Sequence, residues 1–312
     1  MLRSTFLYLS RQPQIFKFVR RNGFARQFAR RFVAGETVDE AIEAVAALNA
    51  KGITASLDVL GESVRDESEA RAAGKAYLDL LQRIAARKVG ANVSLKLTQM
   101  GFDLNEDLCV SIVREILDLA RANNSFVRLD MESSAYTQRT LDLFEQRLRP
   151  DYAPTTGIVL QSMMRRTRAD VERAIEQRTR VRLCKGAYLE PAPVAFPDKR
   201  DVDTNYAECA RELITRGNYP GIATHDERII TAVTAFAKSR NIAADRFEFQ
   251  MLYGVRRDLQ ERLVRDGWRV RVYVPFGTQW YPYLMRRLAE RPANVAFITG
   301  NVVRELFGRR SS

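Results

Sequence analysis

Eight short β-rich runs, each followed by enough chain for a helix, restrict the fold of this 312-residue sequence more than any other feature. They lie at roughly 53–58 (ITASLD), 92–97 (NVSLKL), 126–131 (FVRLDM), 157–161 (GIVLQ), 180–185 (RVRLCK), 221–225 (GIATH), 246–251 (RFEFQM) and 269–274 (RVRVYV). Their starts are 39, 34, 31, 23, 41, 25 and 23 residues apart, so every gap has room for the crossover that a parallel strand pair requires. One gap shows its helix openly: Asp103 with Glu106 forms a capping-box pattern ahead of Leu104, Leu108, Ile112, Ile116 and Leu119 at helical spacing. Eight such units predict a (β/α)8 barrel of the α/β class. A doubly wound sheet is disfavoured, because the 16 glycines include neither G-x-G-x-x-G nor G-x-x-x-x-G-K-[ST]. The expected division is an N-terminal helical arm over 1–50 and a barrel over 51–312. Pro191, Pro193 and Pro197 predict an irregular loop before a helix near 203–216.

Composition narrows the functional classes. With 46% hydrophobic residues the chain is not disordered, and three cysteines in this length are not a disulfide scaffold. Cys109, Cys184 and Cys209 are 75 and 25 residues apart and His225 is the single histidine, so no compact metal-ligand set or C-x-x-C motif exists and no metal is expected. A reducing, cytoplasmic setting follows from that cysteine usage. No apolar run is long enough to predict a membrane-spanning helix. The first 35 residues hold seven Arg, one Lys and no acid, interleaved with Phe6, Leu7, Ile15, Phe16, Phe18, Phe24, Phe28 and Phe32. That segment reads as a targeting presequence, a membrane-surface helix or a basic helix packed on the domain, the last being favoured. It carries +8 of the net +12, leaving only +4 elsewhere, so no nucleic-acid footprint is expected over the fold.

Barrel chemistry gathers where strands end. The polar residues expected there are Asp58, Lys96, Asp130, Gln161, Lys185, His225, Gln250 and Tyr273. Singly, each is as readily a buried structural polar group as a functional one. Lys96 and Asp130, on neighbouring strands, are expected to form a buried ion pair, which is seldom kept for stability alone. After the last strand Pro282 can start a helix on which Tyr283, Arg286, Arg287 and Glu290 share one face. A hydroxyl and two guanidiniums at a barrel mouth suit a carboxylate clamp, against the alternative of a solvated charged face. Lys96 and Lys185 also fit Schiff-base lysines of a barrel aldolase, or anion binding. A serine hydrolase is disfavoured because G-x-S-x-G is missing.

Six segments together resemble the monofunctional bacterial proline dehydrogenases. They are Leu183-Cys184-Lys185-Gly186-Ala187-Tyr188, Leu129-Asp130-Met131-Glu132, Val93-Ser94-Leu95-Lys96-Leu97, Thr224-His225, Phe247-Glu248-Phe249-Gln250-Met251-Leu252-Tyr253-Gly254 and Tyr281-Pro282-Tyr283-Leu284-Met285-Arg286-Arg287-Leu288. The resemblance runs from about residue 50 to 300, and the last segment is its most specific part. It implies a distorted (β/α)8 barrel with non-covalent FAD. It further implies oxidation of L-proline to Δ1-pyrroline-5-carboxylate by hydride transfer from C5 to flavin N5, and reoxidation by a membrane quinone. By motif position, the proline side is Lys96, Asp130, Leu252, Tyr273, Tyr283, Arg286 and Arg287. The flavin side is Gln161, Arg182, Lys185, Gly186, Ala187, Thr224, His225 and Glu290, with Cys184 standing where the family often has Val. Asp130 is expected to position Lys96 and a tyrosine rather than act as a strong base.

Strands one and eight are neighbours in a closed barrel, so Glu62, just beyond the first strand, is expected to approach Arg286 and close the pocket as a gate. The resemblance implies the same pairing. Peripheral contact with the inner face of the membrane and coupling to a pyrroline-5-carboxylate dehydrogenase belong to the same set of expectations. The rival functions are a Schiff-base aldolase using Lys96 or Lys185, and a non-enzymatic basic protein that binds membrane surfaces or nucleic acid.

Overall fold

The computed structural model describes residues 29–61 and 63–290, with side chains through Met285. In chain order the elements are α1 (Val38–Asn49), β1 (Thr54–Val59), α2 (Glu67–Arg87), β2 (Ala91–Leu95), α3 (Glu106–Ala122), β3 (Val127–Leu129), α4 (Ser134–Leu143), α5 (Arg149–Tyr152) and β4 (Thr156–Gln161). There follow α6 (Thr167–Glu176), β5 (Arg180–Cys184), α7 (Lys199–Arg216), β6 (Gly221–Ala223), α8 (Glu227–Ser239), β7 (Glu248–Leu252), α9 (Arg257–Arg265), β8 (Val270–Phe276) and α10 (Trp280–Glu290). The eight strands lie in sequence order, all parallel, and β1 closes on β8 through a register running from Thr54 opposite Arg271 to Val59 opposite Phe276. The expected (β/α)8 barrel is therefore the fold.

Two local expectations shift. The helix anticipated from Asp103 starts at Glu106, because Asn105 is its N-cap and accepts from the Leu108 N–H. Asp103 is turned instead to Tyr136 and Arg139. The helix expected near 203 starts at Lys199, where the Asp198 carboxylate accepts from the Arg200 N–H. The proline-rich loop before it is pinned to the β4 loop by an isolated bridge between Met164 and Ala195. At the N-terminal end, α1 opens with a full Thr37–Glu40 capping box and packs on β1 and β8, across the seam where the barrel closes. The rest of the expected arm, residues 1–28, lies outside the described residues. Among the described residues no helix is long and apolar enough to cross a membrane.

What sets the barrel apart is where its apolar side chains point. Ala55, Leu57, Val93, Leu95, Val127, Leu129, Val181, Leu183, Phe249, Met251, Val272 and Val274 are buried in one continuous core with apolar residues of the surrounding helices. The alternate residues of the same strands face the barrel axis, and they are polar: Ser56, Asp58, Ser94, Arg128, Arg182, Glu248, Gln250, Arg271 and Tyr273. A barrel interior is ordinarily packed with branched aliphatic residues. Here it is a hydrogen-bonded ionic network, while the hydrophobic driving force for folding lies between strands and helices.

Room for long charged side chains inside comes from glycine. A Cβ at Gly157 would stand 2.3 Å from the Arg180 carbonyl oxygen and 2.7 Å from the Arg128 guanidinium, and one at Gly221 would stand 2.3 Å from the Gln250 amide nitrogen. The Gly157 neighbour is backbone and cannot swing away. Gly157→Ala is expected to destabilise the fold by about 1–3 kcal/mol through overpacking. A lower urea midpoint at unchanged slope would register it, and an unshifted midpoint would show that the barrel floor relaxes freely.

Candidate active site

At the C-terminal mouth of the barrel two acid–base pairs form side by side. Asp58 lies opposite Ser94 in the β1–β2 register, so Lys96, two residues further along the β2 chain, reaches over to it. The Lys96 Nζ stands 3.3 and 3.4 Å from the two Asp58 oxygens, and Asp58 Oδ1 also accepts from the Tyr77 hydroxyl at 3.3 Å. Asp130, the residue after β3, accepts from Arg182 Nη1 at 2.6 Å and from the Tyr273 hydroxyl at 2.9 Å.

The ion pair expected between Lys96 and Asp130 is thus corrected: Lys96 pairs with Asp58 and Asp130 with Arg182. Both strands that flank β2 offer an acid, and the long planar guanidinium from β5 takes Asp130, leaving Lys96 to Asp58. Burial pushes the Asp130 carboxyl above the usual carboxylate range, against the pull of Arg182 and Lys96 towards the charged form. Burial, and after it the charges of Asp130 and Asp58, drive the Tyr273 hydroxyl well above its ordinary value, so it stays a donor to Asp130.

Of the residues expected to hold a cofactor, those at the ends of β4, β5 and β6 line the next third of the mouth. Gln161 ends β4, 5% exposed; its Nε2 donates to the main-chain oxygens of Met131 and Glu132. Its Oε1 is buried without a partner, so it would accept an N–H from a bound group. Cys184 is opposite Gln161 in the β4–β5 register and half-buried. Gly186, two residues on, has φ +108°, and a Cβ there would meet the Met163 side chain at 2.3 Å, so only glycine lets the chain turn across this edge. Lys185 is held by Asp203 at 2.6 Å and Asp226 at 2.9 Å. Burial raises the Asp226 carboxyl, but the bond and charge of Lys185 outweigh it and hold it below the usual range.

Thr224 accepts from the Asp226 N–H, and His225 Nε2 accepts from the Leu252 N–H at 2.8 Å, which requires Nε2 to be unprotonated. Through that bond His225 fixes Leu252 at the end of β7. Ala187 continues the turn after Gly186.

Arg182 and Gln250, expected at the cofactor side and at a strand end, both lie inside the barrel, below the mouth. Tyr283 is buried in a small cluster with Leu60, Trp280, Tyr281 and Leu284, which seats α10 beside the β1 loop. The side chains of Arg286, Arg287 and Glu290, and the whole of Glu62, lie outside the described residues, and so does the gate expected between Glu62 and Arg286. Residues that sequence reasoning did not single out are Tyr77, Asp203, Asp226, Glu248 and Arg271. For Glu248 and Arg271 a signal existed, since each stands two positions before a polar residue that was singled out, on the same strand face. Asp203 gave none, its partner being brought to it by the β5 loop.

A closed parallel barrel whose ionisable side chains converge at the C-terminal mouth has the organisation of a (β/α)8-barrel enzyme. The model of the proline dehydrogenase family matches residues 41–300, and the chain belongs to that family. It is 40% identical over 305 residues to proline dehydrogenase 1 of Bacillus subtilis (strain 168), covering 98% of this chain and 100% of that one. It is 40% identical over 307 residues to proline dehydrogenase of Deinococcus radiodurans, covering 97% and 98%. Among solved structures it resembles proline utilization A from Bdellovibrio bacteriovorus inactivated by N-propargylglycine, at TM-score 0.80 and 27% identity over 92% of this chain. It spans 34% of that longer protein.

Proposed function

We propose that the protein is an FAD-dependent proline dehydrogenase that oxidises L-proline to Δ1-pyrroline-5-carboxylate, the first step of proline catabolism, and passes the electrons to a quinone. The observation that carries the reading in this chain is the mouth itself: a lysine and an arginine, each on its own carboxylate, next to a buried and unpartnered amide oxygen. Family membership supports the substrate, and the residues fit the cofactor. Gln161 Oε1 would accept the N–H of the isoalloxazine imide, Gly186 and Ala187 leave the strand edge open to a flat ring, and Lys185, Thr224 and His225 continue the same edge. Arg182 borders it from below. Bound there, FAD supplies the hydride acceptor.

The chain's own groups then have distinct tasks. Lys96, with Arg286 and Arg287 of α10, holds the proline carboxylate, and Leu252, Tyr273 and Tyr283 cover the ring. Loss of hydride from C5 leaves positive charge over C5 and the ring nitrogen. The Asp130 carboxylate, pre-oriented by Arg182 and Tyr273, stabilises that charge without having to reorganise. Glu62 with Arg286 closes the pocket against water. The aldolase reading loses ground, because Lys96 and Lys185 each sit on carboxylates, whereas a Schiff-base lysine needs apolar or cationic neighbours. The test is anaerobic addition of L-proline to the purified protein: bleaching of the yellow flavin band, with free FAD released on denaturation, is the expected result. A preparation that stays colourless after mixing with FAD would overturn the reading.

A further inference from the structure

We propose that Glu248 and Gln250, inside the barrel below the active site, are positioning residues that fix Arg182 and through it the ionised state of Asp130; this rests on the functional reading above. The two side chains are i and i+2 on β7 and point to the barrel axis. Gln250 is oriented without ambiguity: its Nε2 donates to Glu248 Oε1 at 2.6 Å and its Oε1 accepts from Arg182 Nε. Glu248 is anchored in turn by Arg271 Nε at 2.7 Å and the Tyr219 hydroxyl at 3.1 Å. Burial raises the Glu248 carboxyl, but the charge and hydrogen bond of Arg271 and the hydrogen bond from Gln250 outweigh it and hold it below the usual range. A continuous chain of hydrogen bonds therefore runs from Tyr219 at the barrel floor through Glu248, Gln250 and Arg182 to Asp130 and Tyr273 at the mouth.

Arg182 is the joint of this column. Its Nη2 donates to Ser94 Oγ at 3.0 Å and Ser56 Oγ at 3.4 Å, and its Nη1 to Asp130, so Gln250 closes the last edge of the guanidinium plane. With that edge open the plane is free to tilt, and a charged hydrogen bond weakens steeply with angle. A barrel interior filled with aliphatic side chains would be at least as stable as one filled with ions. What the ions add is a fixed orientation at the mouth. Among the described residues the charged and titratable groups facing Asp130 are Arg182 from β5, Lys96 beyond β2, Asp58 from β1, Tyr273 from β8, Tyr77 from α2 and Arg128 from β3. Among them Arg182 is the cation in direct contact, so loosening it moves the Asp130 ionisation to higher pH.

The experiment compares the pH dependence of anaerobic flavin reduction by proline in wild type, Gln250→Met and Gly221→Ala. The second variant pushes the Gln250 amide aside with a methyl group and removes no polar atom. Each is expected to move the acid limb of the limiting reduction rate up by about one pH unit, the shift for a tenfold weaker preference for the charged form, while the proline concentration at half-maximal rate stays within about twofold. The carboxyl infrared titration of Asp130 in the cofactor-free protein, assigned by its loss in Asp130→Asn, should move the same way. A purely structural role would lower thermal stability or FAD content and leave both titrations where they are. Acid limbs and infrared titrations that coincide with wild type would overturn the proposal. Wild-type flavin that proline does not reduce would instead overturn the functional reading beneath it.

Discussion

Lys96→Met should lower the second-order rate constant for flavin reduction by proline about 10²–10³-fold, the effect of removing one preorganised charge from the site of reaction. The ammonium proposed to hold the substrate carboxylate is also the counter-ion of Asp58, whose side chain is only 1% exposed. In the variant Asp58 keeps the Tyr77 hydroxyl as a hydrogen-bond partner but faces the incoming carboxylate without the ammonium between them. Substrate binding therefore loses an attraction and gains a repulsion. Breaking a buried pair by removing one member also costs about 3–5 kcal/mol of stability at full burial, and less here because Lys96 is 13% exposed. Stopped-flow reduction over a range of proline concentrations separates the two effects. The loss should lie mainly in proline affinity, and unchanged affinity would remove Lys96 from the substrate site.

Asp130→Asn should behave differently: the limiting reduction rate falls about 10²-fold while proline affinity and FAD content change little, since the lost interaction strengthens only as charge develops. The amide keeps an oxygen for Arg182 but puts a nitrogen where the Tyr273 hydroxyl donates, and it carries no negative charge, so Arg182, 8% exposed, is left without its counter-ion. Thermal stability should fall by about 1–3 kcal/mol, the cost of one charge-assisted bond weakened in a buried place. The outcome that would return Asp130 to a structural role is a wild-type limiting rate together with that loss of stability.

Much of the architecture could be read directly from neighbouring residues. All eight strands appear within a few residues of the runs expected, because alternation at a period of two is written in adjacent positions and needs no knowledge of partners. Helix starts were less legible. Asp103 and Asn105 both offer capping side chains within three residues, and the choice fell to Asn105 once Tyr136 and Arg139 engaged Asp103. The site was legible as an inventory of residues: Lys96, Asp130, Gln161, Lys185 and His225 all come to the barrel mouth. Their partners were not. Asp203 reaches Lys185 from the second turn of α7, and no pattern in the intervening loop announces it.

By itself, then, the sequence determined a (β/α)8 barrel, the family to which the chain belongs, and most of the polar residues that gather at the strand ends. Only the tertiary structure decided that Lys96 answers Asp58, 38 residues away, that Asp130 answers Arg182 and Tyr273, 52 and 143 residues away, and that an ionic network occupies much of the barrel interior. The physical reason is one of range. Strand and helix periodicities are local and survive in a one-dimensional reading, whereas an ion pair is chosen by separations of a few ångströms that barrel closure, strand tilt and stagger together set.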